Sequence, residues 1–550
     1  MVKDDIVQLL REGIQRAQQQ GLLPPVTVAE IAVEHPQKPE HGDYATSLPL
    51  KLARAARMSP VAIGSAIAQS LPKADAIGRV DVAPPGFINI TLNSRWLAKH
   101  VDEIIAAGEE FGDVPLGHGE LTQIEFVSAN PTGPLTAASG RGGALGDTLA
   151  NVLAAAGYDV KREYYVNDAG SRMEVFFQTV FARYSQALGV PAEIPAEGYH
   201  GTYVADLARE IIAEHGDRFL KTPREQALAE IGSIALKTMI EAAKADLGDL
   251  GIHYDCWFSE QSLYDRSLVS KTIELLKERN FTAEREGAVW FTSTVLGENR
   301  ENVLVRSNGI PTYFASDIAY HYDKHFVRNF QRVIDILGAD HQGHVPRMKA
   351  AVAALGAEPG GLHLIVHQMI TLRRGSEIVR MSKRTGELVS LREVVDEVGA
   401  DACRFYFLSR SADSQMDFDL ELAKMQSSEN PVYYVQYAHA RIASILRFAS
   451  TMDYQSANVL LLQSEPELAL IRKMLQLPEL VENAAQLLEP HHLTYFAQDL
   501  AATFHQFYTQ CRVVSEDAEM TKARLKLVLA AKTALAKTLR LMGMSTPEQM

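Results

Sequence analysis

Apolar and polar positions repeat along this chain with two periods, and the balance between them shifts along its length. Near the start, DDIVQLLREGIQRAQ and SPVAIGSAIAQSL carry apolar residues at helical spacing, and GFINITL then alternates as a short strand does. NSRWLAKHVDEIIAAG opens a connecting helix. From about residue 120 to about 390, strand-like and helical runs alternate, with QIEFVS, YDVKREYYV, NVLVRS, RVIDILGA and LHLIVHQMI as the predicted strands. Such alternation predicts a parallel sheet covered by helices on both faces. A charged helical stretch from about 175 to 255 interrupts the rhythm, and from about 392 onward no strand pattern appears. The expected class is therefore α/β. A small α+β domain spans residues 1–95, a parallel-sheet core 115–390 with its helical insertion, and an all-α bundle 392–550.

Composition changes this picture little. A chain of 550 residues is too long for one core, and 47% hydrophobic with 22% charged residues is ordinary for a globular protein. The net charge of -14 excludes a protein coated in positive charge but leaves room for a local basic stripe. Cys256, Cys403 and Cys511 lie far apart with no metal-ligand spacing, so reduced thiols and no protein-bound metal are expected. The first twenty residues form a charged amphipathic pattern without the apolar core of a signal peptide, and no apolar run is long enough to span a bilayer. A cytoplasmic protein is expected.

Chemistry concentrates in two segments. The first is PTGPLTAASGRGG, Pro131 to Gly143, between the strand QIEFVS and a helix with Leu145, Leu149, Val152, Leu153 and Ala156 on one face and Gly157 as its stop. YDVKREYYV returns as a strand, which makes a βαβ unit. The N-terminus of its helix offers unpaired N–H groups and a positive dipole end, which suit a phosphate. Neither a P-loop nor a dinucleotide fingerprint fits: there is no lysine, and the position three past Gly142 is Leu145. Alone, the turn reads equally well as a structural loop that binds nothing. The second segment, TLRRGSEIVRMSKRTGELVSL, gathers Arg373, Arg374, Arg380, Lys383 and Arg384 against one acid, Glu377. A cationic loop beside a helix N-terminus suits a polyphosphate; by itself it reads as a solvated surface turn.

Together the segments resemble the arginyl-tRNA synthetase family of class I aminoacyl-tRNA synthetases. PEHGDYATSLPLKLA and PPGFINITL resemble its N-terminal accessory domain, IEFVSANPTGPL with GRGGALGD its first catalytic signature, and RMSKRTG its second. YYVNDAG, PTYFASDIAYH and GADHQGHVPRMKAA resemble its active-site strands and loops. DACRFYFLSRSADSQMDFDL, ENPVYYVQYAHARIASIL and MGMSTPEQM resemble its anticodon-binding bundle. The resemblance implies a Rossmann-type core and a two-step reaction. ATP, with Mg²⁺, and arginine give arginyl-adenylate; the arginyl group then passes to the terminal ribose of tRNA(Arg), whose binding precedes activation. A monomer is expected.

Site residues follow from the resemblance. ATP is assigned to Pro131, Gly133, Gly140, Gly142, Ser382 and Lys383, with Lys383, Arg380 and Arg384 acting on the phosphates. A guanidinium has five donors and no acceptor, so its pocket needs carboxylates. Glu125, Asn130, Tyr313 and Asp317 are assigned to arginine, with Asp317 as the guanidinium partner and either His341 or Gln342 as a further acceptor. Such a pocket rejects lysine, which lacks the fork, and citrulline, which leaves an anion uncompensated. Tyr434, Tyr437 and Arg441, on one face of a helix capped by Asn430, are assigned to anticodon bases, and Tyr44 and Asn89 to the tRNA elbow.

One departure stands out. The family usually carries H-x-G-H where this chain has Thr136-Ala137-Ala138-Ser139. Losing one such donor typically costs roughly 10²–10³ in rate. The hydroxyls of Thr136 and Ser139 remain as shorter donors. An active arginine–tRNA ligase is the leading expectation; a non-catalytic tRNA-binding paralogue is the alternative, with a nucleotide-dependent oxidoreductase further behind.

Overall fold

The computed structural model describes residues 1–28, 30–297, 301–358, 360–379 and 389–550. The N-terminal periodicity folds as α1 (Val2–Gln19), β1 (Tyr44–Thr46), α2 (Leu48–Ala56), α3 (Pro60–Ser70), β2 (Ile77–Ala83) and β3 (Phe87–Leu92). The three strands form an antiparallel sheet in the order β1-β3-β2. α3 starts at Ser59, whose hydroxyl accepts the Ala62 N–H at 3.3 Å, with Pro60 at the first helical position. α4 (Ser94–Ala107) leads on to the core, its first N–H groups held by the Asn93 side chain.

The core follows as β4 (Leu121–Phe126), α5 (Ala137–Ala155), β5 (Asp159–Val166), the helices α6 (Ser171–Ala187), α7 (Thr202–His215) and α8 (Arg224–Asp249), then β6 (Cys256–Ser259), α9 (Gln261–Asp265) and α10 (Leu268–Glu278). After β7 (Thr282–Arg285), β8 (Ala288–Phe291) and β9 (Asn302–Val305) come α11 (Tyr313–Tyr322), β10 (Arg332–Gly338), α12 (Val345–Ala354) and β11 (Leu362–His367). β11-β10-β4-β5-β6 form one parallel sheet. Both its faces are covered, so β4 and β10 are buried over most of their length, polar residues included. The α/β class with a parallel core thus holds.

Two expected strands come out differently, and one unexpected strand joins them. NVLVRS does not join the parallel sheet: β9 pairs with β8 in an antiparallel sheet, β7-β8-β9. β8 itself is set by a hairpin: Glu286 and Gly287, both with positive φ, make a two-residue turn between β7 and β8, which forces their antiparallel pairing. LHLIVHQMI splits between β11 and β12 (Ile370–Arg374), which belong to different sheets. β12 takes β13 (Glu377–Ile378) on one side. On the other it takes a strand from beyond residue 392, where none was expected. That strand, β14 (Met416–Asp419), follows α13 (Leu391–Val398) and α14 (Ala400–Leu408). It buries Met416 and Phe418 and turns Asp417 outward, so its two-residue period is only two apolar positions long.

The remainder is helical: α15 (Leu420–Lys424), α16 (Pro431–Phe448), α17 (Glu465–Met474), α18 (Leu477–Leu487), α19 (His492–Gln510) and α20 (Ala518–Leu541). One continuous apolar core runs from α1 through α5 into these helices, while the α10–α12 face of the sheet and the α6–α8 helices have cores of their own. Among the described residues no helix is long and apolar enough to cross a membrane.

Candidate active site

In the parallel sheet β4 lies between β5 and β10, so strand order reverses there. Ligands of open parallel sheets bind in the crevice beyond the carboxyl ends of the strands at such a reversal. The chain leaves β4 through Val127 and Ser128, both with positive φ, an uncommon conformation for a β-branched residue. Hydrogen bonds hold it there. The Ser128 hydroxyl donates to Glu125 Oε1 at 2.8 Å and accepts the Tyr165 N–H at 3.1 Å, and Asn167 donates to the Ser128 carbonyl at 3.1 Å.

Beneath this turn lies a buried ionic network. Lys324, fully buried in a π-helical turn that extends α11, donates to Glu125 Oε2 at 2.6 Å and to Asp335 Oδ1 at 2.7 Å. Its ammonium sits 4.1 Å from the Tyr320 ring centroid. His321 bridges Asp335 Oδ2 at 2.8 Å and the Asp317 carbonyl. Burial opposes the charge on Asp335, yet Lys324 and His321 hold its carboxyl well below the usual range. For Glu125 burial wins over Lys324, and its pKa rises. On β5, Glu163 is paired with Arg328 and accepts the Tyr320 hydroxyl at 2.5 Å.

Two further carboxylates have no such cation. Asp317, on α11, lies with Oδ2 3.3 Å from His344 Nε2. Arg347 donates to the other nitrogen of His344 at 2.8 Å, so that imidazole is neutral, and burial followed by Arg347 pushes its pKa down to about 3. Glu260, just past β6, is 4% exposed, and burial pushes its pKa up to about 7. Burial, then the charges of Glu260 and Glu125, raise Asp317 well above the ordinary carboxylate range. Arg347 lowers Asp317 only in part, and buried carboxylates held above their ordinary range, with no lysine or arginine ion pair among the described residues, make a pocket for a cation. Tyr313, four residues before Asp317, donates its hydroxyl to Asn167 Oδ1 at 3.1 Å at the rim, while its ring stays half exposed. Asn130 and Gln342 are exposed and His341 half-buried, on the loops that follow β4 and β10.

α5 begins at Thr136. Thr136 and Ser139 close on each other as a capping box, Ser139 N–H to Thr136 Oγ1 at 3.5 Å and Thr136 N–H to Ser139 Oγ at 3.4 Å. Where the family's signature places two imidazoles, this chain therefore places a helix cap. The first-turn N–H groups of Ala137 and Ala138 have no intrahelical partner by position, which suits an anion there. Pro131 is buried and Gly133 half-buried ahead of it. Gly140 and Gly142 serve close packing. A methyl on Gly140 would meet Leu391 at 2.5 Å and Phe407 at 2.8 Å, and one on Gly142 would meet His367 Nε2 at 3.0 Å. Between them Arg141 is buried and donates to the carbonyls of Gln368, Ser411 and Ser414 at 2.8–2.9 Å, which pins α5 to the residues after β11 and to the 409–414 loop.

Arg380, Ser382, Lys383 and Arg384 lie outside the described residues. The chain re-enters beside α5: Ser390 bridges to Thr136, and the Leu391 N–H donates to the Leu135 carbonyl at 2.7 Å. The other two cations of the basic segment are committed elsewhere, Arg373 to Asp417 at 2.8 Å and Arg374 to Glu397. They sit in β12, and their charge is neutralised.

Three family models match the chain. "Arginyl tRNA synthetase N terminal domain" covers residues 4–92, "tRNA synthetases class I (R), catalytic domain" covers 100–426, and "DALR anticodon binding domain" covers 435–550. The chain belongs to the arginyl-tRNA synthetase family. An arginine–tRNA ligase of Dehalococcoides mccartyi is 54% identical over 100% of this chain and 99% of its own length; one from Syntrophotalea carbinolica is 46% identical over 100% of both. The Thermus thermophilus arginyl-tRNA synthetase shares the fold, with TM-score 0.78 at 23% identity over 99% of this chain and 100% of that one.

In this arginyl-tRNA synthetase, two of the residues assigned to tRNA are enclosed by the protein itself. Tyr44 is 3% exposed and donates its hydroxyl to Glu479 of α18 at 2.6 Å; His35 reaches the same carboxylate at 2.9 Å. Asn89 is buried in β3 opposite Ala45. The other three gather on α16, capped by Asn430 as expected. Arg441 lies 4.4 Å from the Tyr508 ring centroid and donates to the Tyr437 hydroxyl at 2.8 Å, and Tyr434 and Tyr437 both approach His505. Tyr437, Arg441, Arg447, Tyr508 and Arg512 line an open cleft of ≈ 970 Å³.

Glu260, Lys324, Asp335 and Arg141 were not picked out from the sequence. Glu260 follows a four-residue strand, and Lys324 sits in YHYDKHF, which reads as a polar helix end. The only signal for Arg141 is its place between two packing glycines.

Proposed function

We propose that this protein is an arginine–tRNA ligase that activates L-arginine with ATP and passes the arginyl group to the 3'-terminal ribose of tRNA(Arg). The observation that carries the reading is the buried pair Asp317 and Glu260, two carboxylates at the reversal point of the sheet with no lysine or arginine ion pair among the described residues. A guanidinium fits them by charge and by its planar fork. Asp317 and Glu260 would hold it, with Tyr313 at the rim. Glu125, Asn130 and His341 or Gln342 would face the amino-acid head. ATP, accompanied by Mg²⁺, would lie over the N-terminus of α5, with Lys383, Arg380 and Arg384 on its phosphates. Tyr434, Tyr437 and Arg441 would take anticodon bases. Residues 1–95 would serve as the accessory tRNA-binding domain, 115–390 as the catalytic domain and 392–550 as the anticodon-binding domain, in a cytoplasmic monomer.

The pocket sets a pH dependence. Glu260 titrates at about 7, so below that pH it carries a proton that a bound guanidinium must displace. Arginine affinity is expected to fall on acidification through this range, by about tenfold per pH unit for each linked proton, with Asp317, also raised, adding to the effect. Calorimetry in buffers of different ionisation enthalpy should detect proton release at pH 6. Equal affinity at pH 6 and 8 would count against a guanidinium on Glu260.

The TAAS turn favours a second reading, the tRNA-binding paralogue without catalysis. Aminoacylation with ATP, arginine and tRNA(Arg) separates the two: the ligase charges tRNA, the paralogue only binds it. Histidine at both positions, Thr136→His with Ser139→His, is expected to change tRNA-dependent pyrophosphate exchange less than about tenfold. The variant gains donors but loses a helix cap worth about 1 kcal/mol. A gain of roughly 10²–10³ would identify TAAS as a defect rather than a working substitute.

A further inference from the structure

Away from the crevice, the turn between α18 and α19 gathers Glu489, His491 and His492, with one ligand atom of each within 4.8 Å of the others. The turn is built by Leu488, which ends α18 in the left-handed conformation, and by Pro490. His492 Nε2 lies 3.1 Å from Glu489 Oε2, and the two imidazole centroids are 4.1 Å apart. His491 is only 9% exposed, and neither of its ring nitrogens hydrogen-bonds to a described residue. A buried imidazole normally spends at least one nitrogen on a partner.

We propose that Glu489, His491 and His492 form a binding site for a divalent transition metal of the zinc class. Two imidazoles and one carboxylate are a set that zinc accepts, with water in the fourth position. Tetrahedral ligands about 2.1 Å from a common centre lie roughly 3.4 Å apart, so the side chains need only small rotamer adjustments to close on an ion. Magnesium is disfavoured, because it takes oxygen ligands. The run EPHH has no familiar metal spacing; the tight turn, not the sequence interval, brings the ligands together.

The site's place in the fold indicates what an ion would do. Tyr495, one turn into α19, donates its hydroxyl to the Ser409 carbonyl at 3.0 Å, and its ring packs against both histidines. Asp413, on the same 409–414 loop, accepts the Ser411 hydroxyl at 2.6 Å. That loop also receives Arg141 from α5. A metal here staples the C-terminal helices beside the loop that anchors α5.

The test uses the full chain, stripped with chelator and titrated with Zn²⁺ without nucleotide, and with Co²⁺ as a spectroscopic probe. One ion per chain is expected, with visible Co²⁺ absorption bands of a nitrogen-containing, low-coordinate site. His491→Ala and, independently, Glu489→Gln should each weaken binding at least about tenfold. Glu489 is half exposed, so its variant decides the matter even if the buried histidine proves necessary for folding. No stoichiometric binding, or affinity unchanged in Glu489→Gln and in whichever histidine variant folds, overturns the site.

Discussion

Replacing Asp317 with asparagine is expected to abolish useful arginine activation while leaving the fold intact. Asp317 is buried beside the second carboxylate, Glu260, and its nearest nitrogen belongs to a neutral imidazole. In the free protein its charge is therefore a liability, and the neutral isostere should unfold at the same temperature or slightly above it. With arginine bound the balance reverses. Truncating one partner of a desolvated charge pair costs about 2–5 kcal/mol, which is roughly 30-fold to several thousand-fold in affinity. The loss should appear in the KM for arginine and in kcat/KM for pyrophosphate exchange. The KM for ATP and the affinity for tRNA should be unchanged, since neither ligand has a proposed contact with α11. A loss of arginine affinity below about fivefold would remove Asp317 from the guanidinium site.

This pair also marks the limit of what the sequence discloses. Asp317 is legible because Tyr313 and Asp317 share a helical face in a recognisable string. Glu260 is not, although the structure makes it an equal member. β6 is four residues long, and a carboxylate after so short a strand has no periodicity to betray its burial. The parallel sheet is legible for the converse reason. β4, β5 and β10 lie in its interior, and buried apolar residues such as Ile124, Phe126, Val166, Val333 and Ile334 mark them in the sequence. β9 reads as one more such strand, yet it pairs with β8 of the hairpin built on the Glu286-Gly287 turn, a conformational rather than compositional signal. The basic segment fails differently. Charge can be counted in the sequence, but its partners cannot: Arg373 and Arg374 are neutralised by Asp417 and Glu397, which lie 44 and 23 residues further along. The TAAS turn reads as a loss of two side chains and folds as a gain of one capping box, since Thr and Ser three residues apart are what a helix start uses.

Removing Lys324 is expected to have the largest effect on stability. Its ammonium is the shared counter-ion of Glu125 and Asp335, which face each other from adjacent strands at the same register position. A buried pair of this kind is no great source of stability when compared with an apolar core, but breaking it is costly because the remaining charges are stranded. Lys324→Met leaves two carboxylates against each other with only His321 nearby, and should lose about 3–5 kcal/mol. Two further measurements separate stranded charge from lost packing. Lys324→Met combined with Asp335→Leu and Glu125→Gln removes the stranded charges with the cation, and should recover much of the loss. The pH dependence should also change sign. In the parent protein Asp335 is held low by Lys324 and His321, so its contribution is present above the ordinary carboxylate range and is lost as pH falls through its own depressed value. In Lys324→Met Asp335 is raised instead and Glu125, already raised in the parent, rises further, so the penalty is full at neutral pH and is relieved on acidification as they take up protons. The gap in unfolding free energy between parent and variant should therefore narrow from pH 7 to pH 5. A constant gap would assign the loss to packing around the lysine stem, and a loss below about 1 kcal/mol would mean that water already reaches the network.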